Sequence, residues 1–269
     1  MIYDCFSYWD EDLLLDLRLN ILDKIVDRFV IVEGDKTWQN NPKKLKFDVK
    51  KFEKFKDKII YIPVTDLPDG EDPYLRENHQ RNSISKGIKD ANEDDIILIS
   101  DLDEIPCPKA IKNFDHKMRY ATFKQKHFYY KFNLQSKNYP YWNGTRVCIK
   151  KYLKSPQWLR DLKFKKRPFW RLDKLRLNNI ISDGGWHFCN LKTPEDLLYK
   201  YQNLCETNDP IHFKERIDPK YLQIDEIQKK VISGEDIIGR KDNFEKIELD
   251  HSFPEYLIKN KENYRDWII

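Results

Sequence analysis

The chain has 269 residues, enough for one large domain or two fused halves to enclose a full core. Its 40% apolar and 14% aromatic content, with tryptophans spread from Trp9 to Trp267, excludes a disordered or low-complexity protein. The 49 Lys+Arg against 45 Asp+Glu leave a net charge of +4 with the two signs interleaved, which argues against an obligate nucleic-acid binder.

The first segment, Met1-Ile2-Tyr3-Asp4-Cys5-Phe6, reads as a strand and lacks the basic and long apolar regions of a signal peptide. Leu13, Leu14, Leu17, Ile21, Leu22 and Ile25 follow at helical spacing, with Asp10 as the expected N-cap. Residues 28–33 and 58–64 read as buried strands, the first ending at Glu33 and Gly34, with a helix expected over residues 49–55 between them. Residues 74–89 read as a helix and 95–100 as a β-rich run of the kind found in the centre of a covered parallel sheet. Such alternation predicts an α/β fold: a Rossmann-like, mainly parallel sheet with helices on both faces and a ligand site off the carboxyl ends of the strands. After Asn113 the texture turns to aromatic β-like segments at 120–134, 145–153 and 175–181, then to helical ones at 194–205, 219–232 and 254–260. No Gly/Ser linker separates the parts, so one domain is expected, with the second half built onto the first sheet.

No apolar run approaches the ~18 residues needed to cross a bilayer. Cys5, Cys107, Cys148, Cys189 and Cys205 are odd in number, dispersed and free of any CxxC pair, which fits reduced thiols. A cytoplasmic protein without a membrane span is therefore expected, or one acting in a host cell if the source is viral, and the sequon at Asn143-Gly144-Thr145 reads as incidental. The most basic stretch, residues 163–176, mixes cations with Phe164, Phe169 and Trp170; it suits either a polyanion groove or a solvated face.

The chemistry is concentrated where the apolar run of residues 95–100 meets Asp101, Asp103 and Glu104. In extended backbone Asp101 and Asp103 point to one side and can hold one hard divalent cation, Mn²⁺ or Mg²⁺, leaving positions open for water and phosphate oxygens. A bare Asp-x-Asp is common, and Asp10-Glu11-Asp12 repeats it at a helix start; Asp101-Leu102-Asp103 differs in ending an apolar strand.

Leu98-Ile99-Ser100-Asp101-Leu102-Asp103-Glu104-Ile105-Pro106, preceded by Arg76-Glu77 and Gln80-Arg81-Asn82 and followed by Gly185-Trp186-His187-Phe188, resembles the family 17 glycosyltransferases. These are the β-1,4-mannosyl-glycoprotein β-1,4-N-acetylglucosaminyltransferases that add a bisecting sugar. Val32-Glu33, Thr37, Pro42-Lys43, Phe47 and Phe253-Pro254-Glu255-Tyr256 extend the likeness over most of the chain. The resemblance implies a GT-A-like fold, a UDP-N-acetylglucosamine donor, a glycan acceptor, a divalent metal and inversion at the anomeric carbon. On that footing residues 1–113 are the nucleotide-sugar half and 114–269 the acceptor-side half of a single domain. The sequence departs from the family in showing no anchor or stem of the animal type, and in placing Cys189-Asn190 where Ser and an aromatic are expected. Mannose of a glycoprotein, a lipid-linked or polysaccharide glycan, and a host glycan all stay open as acceptors.

Each candidate residue has a plainer reading beside the functional one. Asp101 and Asp103 are read as metal ligands, with an Asp turn capping the next helix as the alternative. Glu104 either touches the donor or supports the turn. Glu33 either accepts from uracil or ribose or is an ordinary carboxylate. Arg81, with Asn82 beside it, reaches the nucleotide or diphosphate, or Arg81 pairs with Glu77 four residues away. His187, between glycines and aromatics, serves as third metal ligand with His251 competing, or is a buried structural histidine. Trp186 stacks on a sugar or fills the core, and Lys200 reaches the diphosphate or is solvated. For the catalytic base the expectation is Asp183, then Glu195, with Asp196 and Glu206 behind them; first-turn acids of a helix are favoured as anions and so less basic. A metal-dependent phosphoryl or nucleotidyl transferase and a non-catalytic sugar-binding module are the competing functions, although no Gly-x-x-x-x-Gly-Lys-Ser/Thr loop is present.

Overall fold

The computed structural model describes residues 1–164, 179–208 and 217–269. Most of the basic stretch at 163–176, and the start of the strand expected over 175–181, lie outside the described residues.

In chain order the elements are β1 (Ile2–Ser7), α1 (Asp12–Leu22), β2 (Arg28–Gly34), β3 (Ile59–Val64), α2 (Pro73–Asn82), α3 (Ile84–Gly87), β4 (Ile96–Asp101), β5 (Glu104–Pro106) and α4 (Pro108–Lys112). Then come β6 (Tyr120–Tyr129), β7 (Leu134–Ser136), β8 (Tyr141–Ile149), α5 (Pro156–Asp161), β9 (Ile180–Ile181), β10 (Gly185–Cys189), α6 (Pro194–Asn203), α7 (Ile224–Ser233), β11 (Phe244–Lys246) and α8 (Glu255–Lys259). The segment expected as a helix near residues 49–55 is 3₁₀ over Val49–Lys58, broken by non-helical backbone at Phe52. The expected cap of α1 also differs: Glu11 occupies that place without a side-chain cap bond, because Asp10 pairs with Lys192 and Lys46.

The strands form one mixed sheet in the order β11-β7-β6-β8-β4-β1-β2-β3, with β10 bridging β5 and β6, and β9 beside β6. The parallel part is β3-β2-β1-β4, built from residues 2–101. The second half extends it through the antiparallel β8 and β6, then adds β10 parallel to β6. Alternate residues of each central strand serve opposite faces, as a doubly covered sheet requires. Phe29, Ile31 and Leu98 pack on one side with Leu15 and Leu22 of α1 and Leu257 of α8. Val30, Val32, Ile97 and Ile99 pack on the other with Ile84 of α3 and Leu159 of α5. A third cluster joins Tyr129 and Tyr130 to Leu197 and Tyr201 of α6, Ile227 of α7 and Phe244.

The ends of β1 and β4 lie side by side, Ser7 opposite Asp101, so the chain leaving β1 and the turn leaving β4 open on the same place. The pairing of β10 with β5 and β6 brings His187 opposite both Glu104 and His127.

Candidate active site

The turn after β4 is held by a buried cation. Arg18 of α1 is fully buried and forks onto Asp4 of β1, Nη2–Oδ1 2.6 Å and Nε–Oδ2 2.8 Å. Its Nη1 then donates to the carbonyl oxygens of Asp101, Leu102 and Glu104 at 3.0–3.1 Å. Three turn carbonyls are thereby gathered on one planar group, which Lys could not match, and the Glu104 carbonyl also accepts from the Thr145 hydroxyl at 2.9 Å.

Glu104, 1% exposed, has both oxygens occupied. Oε2 accepts from Arg160 Nη1 (2.7 Å) and the Asp101 amide (3.1 Å); Oε1 accepts from Trp142 Nε1 (2.8 Å) and Arg160 Nη2 (3.1 Å). It supports the turn. Asp101 stays partly exposed but faces two arginines, Oδ1 to Arg81 Nη2 at 3.1 Å and Oδ2 to Arg160 Nη2 at 2.9 Å. Desolvation would raise its carboxyl; Arg160 and then Arg81 outweigh that and hold it well below the usual carboxylate range. Arg81 also binds Glu77 (2.6 Å), so the expected ion pair and the expected contact with the acidic turn both exist.

Asp103 lies beside β10, with Oδ1 3.5 Å from His187 Nε2. The His187 ring stacks on His127 with centroids 4.7 Å apart and planes 2° from parallel. The two histidines titrate in opposite directions. Burial would lower His187, but Asp103 more than offsets it and raises the group well above the usual range. Burial, with the charge of His187 added, pushes His127 down to about 3. Cys189, two residues along β10, completes a trio with Asp103 and His187 whose ligand atoms all lie within 4.8 Å of one another. His187 Nδ1 is buried without a hydrogen-bond partner. An oxygen, a nitrogen and a sulfur donor around one point, with a buried nitrogen unused, fit a divalent cation. Asp101 is not among these donors.

Asp101, Asp103, Glu104, His187 and Lys200 line one cavity of about 280 Å³. Lys200 Nζ donates to Asn190 Oδ1 at 2.9 Å, near enough to Asp103 to help lower its carboxyl. Other expected residues lie elsewhere. Glu33 is wholly buried and its oxygens accept from Lys43 Nζ (2.5 Å), the Lys46 and Phe47 amides and the Tyr61 hydroxyl, which ties the 36–47 loop to the sheet instead of facing a nucleotide. Asn82 is exposed and accepts from the Gln157 amide at the start of α5. Trp186 points to the core on the strand face opposite His187, its indole donating to Ser252 O. Asp183 is exposed at φ +50° and Glu195 is exposed in the first turn of α6; neither lines the cavity, nor does His251. The glycines after Asp183 serve packing: a Cβ on Gly185 would fall 2.1 Å from Ile105 O, where β10 presses on β5.

The cavity is also lined by Trp9, Trp38 and Trp142, which the sequence pattern does not single out, and by Glu11, Glu77 and Glu206, the last of them a base candidate from the sequence. Trp142, Tyr129 and Arg240 continue into an adjoining hollow of about 630 Å³, where Tyr139 and Tyr141 stand 61% and 50% exposed. Two exposed aromatics at a strand start in a chain this rich in Tyr were the available signal; Arg18 and Arg160 carried none, since their partners are 14 to 86 residues away.

An acidic strand-end turn faces a cavity lined by three tryptophans, two lysines and an arginine, a layout that suits a group-transfer site. Residues 1–267 match the model of glycosyltransferase family 17, and the chain belongs to that family. It is 24% identical over 290 residues to a Rattus norvegicus beta-1,4-mannosyl-glycoprotein 4-beta-N-acetylglucosaminyltransferase, covering 94% of this chain and 51% of that one. The Homo sapiens protein of the same name is 25% identical over 221 residues, 70% of this chain and 40% of that one. The chain thus spans about half the length of the curated relatives it matches. Among solved structures, a Francisella tularensis 2-C-methyl-D-erythritol 4-phosphate cytidylyltransferase covers 76% of this chain and 99% of its own at 11% identity, with a TM-score of 0.34 that carries no argument. Among the described residues no helix is long and apolar enough to cross a membrane.

Proposed function

We propose that the protein is an inverting, metal-dependent N-acetylglucosaminyltransferase of GT-A type that moves the sugar from UDP-N-acetylglucosamine to a hydroxyl of a glycan mannose. Family membership favours this over a nucleotidyl transferase or a non-catalytic sugar-binding module. The observation that carries it is the Asp101–Glu104 turn, fixed by Arg18 and Arg160, facing a cavity that continues into an aromatic-edged hollow. The cavity takes the donor and the hollow the acceptor.

The Asp103 carboxylate and His187 would hold the cation, Mn²⁺ or Mg²⁺, with Asp101 beside them, and its charge would stabilise the departing diphosphate. Lys200 adds a positive charge on the same wall. In the displacement the acceptor oxygen bonds to the anomeric carbon as the bond to the UDP oxygen breaks, and a carboxylate on the acceptor side takes the hydroxyl proton. Of the cavity carboxylates, Glu11 is paired with Lys192 and Glu77 with Arg81. Glu206 has no ion pair among the described residues and is assigned the role of base. Trp142, 43% exposed between the two spaces, offers its ring to a sugar face.

Thermal-shift titration with nucleotide sugars in the presence of Mn²⁺ tests the donor. UDP-N-acetylglucosamine should stabilise the chain; stabilisation by GDP- or CMP-sugars alone would overturn the assignment.

A further inference from the structure

The hollow beside the donor cavity is lined by four cations, Arg146, Lys163, Arg240 and Lys241, against two carboxylates, Asp236 and Asp242. The carboxylates are buried and occupied. Asp242 accepts from the Ser136 hydroxyl at 2.6 Å and the Asn138 amide at 3.2 Å, and Asp236 accepts from the amides of Ile238 and Arg240. The cations are not used up in this way. Lys163, Arg240 and Lys241 are exposed, and among the described residues their side chains make no hydrogen bond or ion pair. Asp236 acts on Arg240 through space only. Arg146 spends Nη1 on the Thr122 hydroxyl and the Asn143 and Gly144 carbonyls, while its Nε is buried without a partner. Burial, then the like charge of Arg160, pushes Arg146 down to about 10, so this side of the hollow is short of negative charge.

A free guanidinium and two unpaired ammonium groups beside the exposed rings of Tyr139 and Trp142 suit a sugar that carries an oxyanion. The cations take the charge and the rings take the apolar sugar face. We propose that the hollow accepts an acidic glycan, one whose acceptor mannose or a neighbouring sugar carries a phosphate or carboxylate, with Arg240, Lys163 and Lys241 holding the anion. The inference rests on the reading of the hollow as the acceptor side of a transferase. Arg240 lines the donor cavity as well, and so marks the side of the hollow where acceptor meets donor.

The test titrates the full chain calorimetrically, without metal or nucleotide, with mannose 6-phosphate, mannuronic acid, methyl mannoside and inorganic phosphate. At least one acidic sugar should bind ~10-fold or more tighter than methyl mannoside, and tighter than phosphate alone, by an advantage that shrinks as salt rises. The tighter of the two acidic sugars names the anion as phosphate or carboxylate. The double variant Lys163→Gln/Lys241→Gln, changed only at exposed positions, should lose most of that advantage. It should keep both its binding of methyl mannoside and its thermal stabilisation by UDP-N-acetylglucosamine. No preference for either acidic sugar, a preference that survives the double substitution, or phosphate alone binding as tightly would overturn the proposal. Displacement of the acidic sugar by UDP would also overturn it, by placing the anion in the donor cavity. Failure of the nucleotide sugars to stabilise the chain, with the acidic-sugar preference intact, would sink the transferase reading alone.

Discussion

Arg160 grips Glu104 through two hydrogen bonds, 2.7 and 3.1 Å, and its Nη2 continues to Asp101 at 2.9 Å. One guanidinium thus spaces the buried and the exposed carboxylate of the acidic turn. Arg160→Ala leaves the Glu104 charge buried with only neutral donors, and should destabilise the fold by about 3–5 kcal/mol. Paired with Glu104→Met, the loss should be well below the sum of the two single changes, as expected when one interaction is removed twice. Chemical denaturation of the four proteins measures this. Additive losses would mean that the pair is not coupled.

The base is assigned by cavity lining. Glu206→Gln should lower kcat ~100-fold or more while nucleotide-sugar binding is kept, since general-base catalysis is typically worth 10²–10⁴. Asp183→Asn, at an exposed residue outside the cavity, should leave kcat within about twofold. The reverse pattern would return the role to Asp183.

Trp142 has two duties that substitutions can separate. Its ring is exposed toward the hollow, and its Nε1 donates to Glu104 at 2.8 Å. Trp142→Ala should raise the acceptor KM roughly tenfold to hundredfold, the equivalent of about 1.5–3 kcal/mol of lost aromatic burial. Trp142→Phe, which keeps a ring but not the N–H, should raise it less. Equal effects on donor and acceptor KM would place the ring in the donor cavity instead.

The fold was legible where local pattern and tertiary role agree. Strands β1, β2, β3 and β4 read as apolar runs because both faces are covered, and α1 shows its spacing because one side packs on the sheet. The mixed direction of the second half was not legible: β6 and β8 are long strands whose partners are set by topology, and the short β5 and β10 lack the length to form a pattern. At the site, Asp101, Asp103 and His187 stood out by type and context. Glu33 also stood out, for the same reason, but burial with Lys43 turned it to a structural task. Arg18 and Arg160 were invisible because a lone arginine in a helix gives no sign that it is buried. The Glu77–Arg81 spacing marked a helix pair but not its extension to Asp101.

Asp236 supplies a pH test remote from the acidic turn. It is 2% exposed, accepts the amides of Ile238 and Arg240 on Oδ1, and burial pushes its carboxyl above the usual value. A raised carboxyl binds its proton more tightly in the folded state, so its contribution is most favourable below ~4 and is lost as pH rises through the folded value. Asp236→Asn keeps the accepting oxygen and does not titrate. Its stability relative to the parent should therefore rise over that interval and stay higher at neutral pH, as urea denaturation at a series of pH values will show. A relative stability that falls with rising pH would contradict the shift.

The central claim is tested most directly by incubating the chain with UDP-N-acetylglucosamine, Mn²⁺ and a mannose-bearing N-glycan, with mass spectrometry and linkage analysis of the product. The account predicts the addition of one β-linked N-acetylglucosamine to mannose, lost with excess chelator and reduced on the order of a thousandfold by Asp103→Asn in a protein that remains folded. Undiminished transfer by Asp103→Asn, or full transfer in chelator, would contradict it.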